Sequence, residues 1–403
     1  MKAGWEELEI GQLCEKTATV DPRKKPEEAF TYVDVSSVSN QTFSIENTSE
    51  LLGSEAPSRA RRRIEIEDVI FATIRPTLLR VAQVPEHLDG QVCSTGYVVL
   101  KPTQQILSRF LFYSMFRAEF SKAMETLQSG ASYPAVTDKQ VRQQPIPLPP
   151  LEEQKRIVAV LDEAFAALDR ARTHAETNLK NARELFASLR EQKLNASQTG
   201  WSIARLEEMI HIKHGFAFKS EFFKSAGDHV LLTPGNYYED GGYRDRGPKQ
   251  KYYEGELPEG FVLRKGDMLV AMTEQAPGLL GSCILVPEDD RFLHNQRLGL
   301  IQPNANVDWY SPFFAHVFNL TVFRKALSDT CSGIKVRHTS PKKIYDVEVP
   351  IPPTMNDQIE IAAYLDNARN DLSDVGRQYE NKLSDLDSLR QSLLQKAFAG
   401  ELS

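Results

Sequence analysis

Apolar residues recur at three- and four-residue intervals along two stretches of the chain, roughly two hundred residues apart. In the first, Leu161, Phe165, Leu168, Leu179, Phe186 and Leu189 mark one side, with Arg172 as an interruption. In the second, Leu365, Leu372, Tyr379, Leu383, Leu386 and Leu393 mark it, interrupted by Arg369, Gly376 and Arg390. About two apolar positions in seven make the narrow seam of a coiled coil rather than the broad face of a core helix. No proline lies inside either stretch, while Pro149-Pro150 and Pro352-Pro353 stand just ahead of them and predict clean helix starts. Displacing 151–194 by 204 positions aligns 12 identities among 44 residues, including Gln154/Gln358, Ile157/Ile361, Asp162/Asp366 and Leu168/Leu372. The pattern predicts two helices of about 65 Å each. They repeat within one chain and pair with each other, antiparallel, because neither narrow stripe can be buried by a small neighbouring domain.

Ahead of each helix the pattern changes to short runs rich in β-branched residues, bounded by turn formers. In the first segment these predict strands at 31–35, 69–74, 80–84 and 97–100. A helix with a wide apolar face follows at 108–127, then the loop Ser129-Gly130, then a short helix capped by Thr137. The second segment keeps this plan with little identity. Asp267-Met-Leu-Val answers Asp68-Val-Ile-Phe, an apolar helix returns at 309–327, and Ser332-Gly333 answers Ser129-Gly130. Ser340-Pro341 takes the place of Thr137. The predicted fold is mixed α+β: two pseudo-repeated α/β domains, 1–146 and 199–349, joined by two long antiparallel coiled-coil helices, 147–198 and 350–403.

With 403 residues, 41% hydrophobic and 26% charged, the chain reads as a soluble protein of several domains. No run of eighteen apolar residues and no leader pattern appear, which predicts a cytoplasmic protein without membrane contact. Cys14, Cys93, Cys283 and Cys331 are scattered and read as buried free thiols. The net charge of −7, with no broadly basic segment, argues against a sequence-independent nucleic-acid coat. Residues 1–145 hold 17 basic against 19 acidic side chains and 200–350 hold 18 against 19, so any DNA contact must use locally concentrated Arg and Lys. His211-x-x-His214 has helical metal-ligand spacing but lacks further ligands nearby. No GxxxxGK(S/T) phosphate loop and no methyl-transfer motif is found, so the chain reads as non-catalytic, with no cofactor of its own.

The segments PLPPLEEQKRI at 147–157 and PIPPTMNDQIEI at 350–361, together with the Asp68 and Asp267 strand patterns, resemble the specificity subunit of Type I restriction-modification systems. The resemblance covers essentially the whole chain. The second copy departs from the first by an extra residue before Asp357-Gln358 and by Gly376 in the seam. The resemblance implies two target-recognition domains, each reading half of a bipartite double-stranded DNA target, with the helices setting the gap. It also implies two modification (methyltransferase) subunits as partners, which carry S-adenosylmethionine and methylate adenine. ATP-driven restriction subunits are optional further partners. The competing reading is a coiled-coil scaffold that binds proteins only.

Base recognition asks for Arg or Lys on guanine and Asn or Gln on adenine, with further basic groups on phosphates. In the first domain Arg59, Arg61, Arg62 and Arg63 form the densest basic cluster, either a DNA contact or a solvated turn before a strand at 64–66. Arg75, at the end of a predicted strand, is the candidate base contact; Tyr133 and Lys139 flank the Gly130 loop. In the second domain the candidates are Lys213, His214 and Lys219, and the 237–251 insert with Tyr237, Arg244, Arg246, Lys249 and Lys251. Lys335, Arg337 and His338 follow Ser332-Gly333. An ordinary surface role stays open for each residue.

Overall fold

A computed structural model describes every residue except Met1, Ala3, Ala131, Ala276, Ile334, Lys335 and Ser403. The chain forms two compact units, Met1–Glu176 with Asn381–Ser403, and Thr177–Glu380. Both units repeat one framework. In the first, Glu6–Glu9 pairs antiparallel with Pro145–Leu148, tying the start of the domain to the residues that lead into the long helix. In the second, Ser202–Arg205 pairs with Glu348–Ile351 in the same way.

Each unit then holds two four-stranded sheets. The order Cys14–Glu15, Tyr97–Pro102, Val69–Ala72, Val81–Gln83 in the first unit matches Ile210–His214, Leu298–Pro303, Met268–Ala271, Cys283–Leu285 in the second. Val69–Ala72 and Met268–Ala271 are buried along their whole length, which explains their unbroken apolar sequence between two pairing partners. The other sheets share a parallel pair, Ala29–Val33 beside Val92–Ser94 and His229–Leu231 beside Phe292–Leu293, central in the first sheet and at one edge of the second. They differ at their edges. Ala60–Arg63 closes the first sheet, whereas the second gains Phe223–Lys224 and keeps only a single bridge between Val262 and Leu293.

Several expected boundaries move. The strand expected at 64–66 lies instead at Ala60–Arg63, so the arginine cluster is a strand rather than a charged turn. The first expected strand lies at Ala29–Val33, and Val35–Ser37 winds into a helical turn. Each expected apolar helix divides in two, Ser108–Ser114 with Ala118–Leu127, and Ser311–Phe318 with Thr321–Thr330. Periodicity misses both breaks because the apolar face continues across them. The backbone turns where Arg117 and Leu320 adopt extended geometry and start the following helix. Thr137 caps as expected, accepting from Gln140 N at 3.2 Å, but Ser340 makes no capping hydrogen bond and Pro341 alone sets that start. Cys14, Cys93 and Cys283 are buried free thiols; Cys331 is half-exposed.

The long helices are Leu151–Lys193 and Met355–Ala399. The extra residue of the second copy works as a cap: Asp357 N donates to Thr354 Oγ1 at 3.1 Å and Thr354 N to Asp357 Oδ2 at 3.0 Å. Within each unit the helices run antiparallel. Arg172 meets Asp387 and Arg390 meets Asp169 in the first; Asn178 meets Tyr379 and Phe186 meets Arg369 in the second. The seam is not buried by helix pairing alone. Leu161, Phe165 and Leu168, with Leu394, Ala397 and Phe398, enter the core of the first unit. Leu365 enters that of the second, and Phe186 is also buried. Leu179, Leu189, Leu372, Tyr379, Leu383, Leu386 and Leu393 are only half-buried. The domains supply a broad apolar wall at the helix ends, which the two-in-seven stripe by itself does not reveal.

Two repeated side chains lock each domain to its helix. Gln154, fully buried, accepts from Leu107 N and donates to Gln105 O, both at 2.9 Å. Gln358 likewise accepts from Tyr310 N at 2.9 Å and donates to Asp308 O at 3.0 Å. Asp162 receives Arg109 Nε at 2.8 Å and the Tyr113 hydroxyl; Asp366 faces His316 Nε2 at 2.9 Å. Arg369 donates to His316 Nδ1, so Nε2 carries the ring hydrogen towards Asp366. The identities at these positions therefore preserve polar clamps as well as a packing stripe.

Candidate nucleic-acid interface

In each unit the backbone following the central strand crosses the loop that follows the second apolar helix. In the first unit Ile74 bridges Ala135, Arg75 N donates to Pro134 O at 2.7 Å, and Ser129 exchanges two 2.9 Å hydrogen bonds with Ala135. In the second, Thr273–Glu274 pairs with Arg337–His338, and Ser332 exchanges bonds of 3.0 and 2.8 Å with His338. Glycine is required at both loops. Gly130 has φ +103° and a Cβ there would lie 2.9 Å from Tyr133 O; Gly333 has φ +99° and a Cβ would lie 2.1 Å from Val336 O.

The first crossing is open and basic. Arg59, Arg75 and Tyr133 line one cleft together with Asp34 and Arg80. Tyr133 is 72% exposed, and the Arg75 guanidinium lies 5.6 Å from its ring centroid. Arg80 carries no signal in the sequence that sets it apart from an ordinary strand residue, and it donates to Val38 O at 2.5 Å. The rest of the cluster is committed elsewhere. Arg61 pairs with Asp21 at 3.0 Å, Arg62 with Asp138, and Arg63 with Glu65 at 3.7 Å. Alternation along the strand Ala60–Arg63 and its carboxylate neighbours divide a cluster that is continuous in sequence. Lys139 stands exposed on Asp138–Arg142, away from the cleft lining.

The second crossing is closed. Glu274 is 2% exposed, and its Oε2 accepts the N–H groups of Gly278, Leu279 and Leu280 at 3.0, 2.8 and 2.8 Å. Arg337 neutralises its other oxygen. Burial works to raise the Glu274 carboxyl, but the Leu280 and Leu279 amides and the Arg337 guanidinium hold it below the usual range. Arg337 is therefore a buttress, not the free basic group expected from sequence. His338 is exposed, and Lys335 lies outside the described residues.

Other candidates in the second domain separate by burial. Tyr237 is 2% exposed with its ring in the core, which removes it from any DNA-facing surface. Its neighbours in sequence do reach solvent: Arg244 lies 5.9 Å from the half-exposed Tyr238 ring, Lys249 is exposed, and exposed Lys251 lies 5.6 Å from Phe223. Arg246 is half-buried and packs beside Gly235. Lys213 donates to Gly260 O at 2.6 Å and sits 4.5 Å from the Phe261 ring. Lys219 is exposed, 4.0 Å from Glu221. His211 and His214 lie on the strand Ile210–His214, where residues three apart face opposite sides, so helical ligand spacing does not apply. Among the described residues no group of three or more His, Cys, Asp or Glu could hold a metal ion. No helix of the described residues is long and apolar enough to cross a membrane.

The family model described as "Type I restriction modification DNA specificity domain" matches residues 2–180 and 198–383, so the repeat seen in the fold is matched twice. The Type I restriction enzyme EcoBI specificity subunit of Escherichia coli is 29% identical over 219 residues, 53% of this chain and 42% of that subunit. The chain's match thus spans under half of that relative. The EcoKI specificity subunit of Escherichia coli K12 is 24% identical over 368 residues, 85% of this chain and 76% of that subunit. A solved chain from work on complex assembly and conformational transition of the type I R-M system superimposes with TM-score 0.81 at 28% identity, covering 100% of this chain and 99% of that one. The HsdS subunit of Thermoanaerobacter tengcongensis gives 0.56, also at 28% identity, covering 100% and 98%. Matched by its family model over nearly its full length, the chain belongs to the Type I restriction-modification specificity-subunit family.

Proposed function

We propose that the chain is the non-catalytic DNA-reading subunit of a Type I restriction-modification complex. Each domain reads one half of a bipartite duplex target, and the paired helices hold the unread gap at constant length. The observation that carries this reading is the repeated crossing of two loops on one framework, open and basic in the first domain, closed by an ion pair in the second. Two domains that share this framework but present different surfaces specify an asymmetric site.

The chain positions two modification subunits, which bring S-adenosylmethionine for adenine methylation; restriction subunits complete the complex where present. Support comes from the outer faces of the helices. Leu185 and Leu389 coincide under the 204-residue displacement and are 59% and 48% exposed. Val160 and Tyr364 coincide likewise and are also exposed. Repeated apolar positions that face solvent suit two copies of one partner.

Selection from a randomised duplex library by the chain with its modification subunit tests the reading. The expected motif has two defined halves at a single spacing, with adenine methylation in both. A library from which the chain enriches no motif beyond what the modification subunit enriches alone would overturn it and favour a protein-only scaffold.

A further inference from the structure

Arg75 combines four features that no other described basic residue at either crossing shares. Its backbone is left-handed, at φ 50° and ψ 57°, immediately before Pro76. An arginine gains nothing locally from that conformation, which a Cβ disfavours. Its side chain is exposed, and among the described residues no carboxylate pairs with it. Its guanidinium rests beside Tyr133, itself the most exposed large apolar side chain among the described residues of the domain. Strain carried at a solvent-facing, unneutralised cation marks a position selected for contact rather than stability.

The second domain shows what the same place looks like when it serves stability. There Glu274 replaces Arg75 and Arg337 stands where Pro134 does, and the two charges cancel against each other. Arg337 Nη1 also approaches Ser328 Oγ at 3.4 Å. Resting on the proposal that both domains read duplex DNA, we infer that Arg75, steadied by Tyr133, discriminates a guanine in its half-site. The same crossing in the second domain is locked and reads no base. Guanine is the partner because a guanidinium donates two parallel hydrogen bonds to its N7 and O6.

The test is library selection with the full chain assembled with its modification subunit, alongside thermal unfolding. Arg75→Ala is expected to lose about tenfold or more of the preference for one guanine in one half of the motif, leaving the other half intact. Arg75→Gly is expected to do the same while raising the unfolding temperature, because glycine accepts the left-handed backbone. A structural role would move stability and recognition together. Arg337→Lys, which keeps the charge opposite Glu274, is expected to leave both halves of the motif unchanged. An unaltered motif in both Arg75 variants, or a position erased by Arg337→Lys, overturns the inference while the DNA-reading function stands. An unaltered chain that enriches no motif overturns both.

Discussion

The guanidinium of Arg390 lies 4.4 Å from the ring centroid of Phe165, where the two long helices meet in the first unit. In the second unit Arg369 lies 5.3 Å from Phe186. The 204-residue displacement carries Phe165 onto Arg369 and Phe186 onto Arg390, so the two pairs exchange roles under the internal repeat. The arginines that interrupt the seam in sequence are therefore its partners, covering an aromatic face with a cation and an aliphatic stem. A double-mutant cycle of Phe165→Leu with Arg390→Met, read by chemical denaturation, is expected to give a coupling of about 1 kcal/mol. Additive effects would show that the two side chains do not stabilise each other.

Gly376 sits in the interior of the second long helix, which runs through it unbroken. A Cβ there would lie 3.5 Å from Leu179 Cδ1, an ordinary contact, and its backbone is not left-handed. Gly376→Ala is expected to stabilise the second unit by about 0.5–1 kcal/mol, seen as a higher denaturation midpoint. A lower midpoint would mean that the seam needs the gap.

His294 is fully buried, with Nε2 2.9 Å from Leu298 O, and burial lowers its pKa from 6.5 to about 4. The folded value lies below the unfolded one, so folding favours the neutral ring. This contribution is complete above pH 6.5 and is lost as the pH falls from there towards 4. The loss is expected to reach about 3 kcal/mol at most, measured as unfolding free energy of the chain against pH. His294→Gln should flatten that slope between those limits; an unchanged slope would assign the acid sensitivity to other groups.

Lys249 and Lys251 are exposed in the second domain, and neither has a carboxylate partner among the described residues. Lys249→Ala with Lys251→Ala is expected to weaken duplex binding across sequences and to reduce the salt slope by about one for each phosphate left without its lysine. Binding isotherms at several salt concentrations measure this. A changed base preference at constant slope would make them readers instead.

Much of the framework was legible because it is written in local signals. Gln154/Gln358 and Asp162/Asp366 stood out as identities, and the structure shows each making a matching clamp. The Gly130 and Gly333 loops were legible because a left-handed turn leaves glycine as its trace. The surface chemistry was not. Arg61, Arg62, Arg75 and Arg337 look alike in a sequence, and what separates them is whether a carboxylate from far along the chain reaches them, as Asp138 reaches Arg62 and Glu274 reaches Arg337. Tyr237 defeats sequence reading for the same reason: its basic neighbours suggest a surface, while the strands around it make a core.

The sequence by itself determined that the chain is built twice, with a heptad-like seam after each domain, because periodicity, caps and repeats act over a few residues and need no knowledge of the partner. Only the tertiary structure decided which cations are spent inside each domain and which remain for a ligand. Ion pairing and burial are set by groups brought together from distant positions, and one strand edge or one buried carboxylate changes the answer.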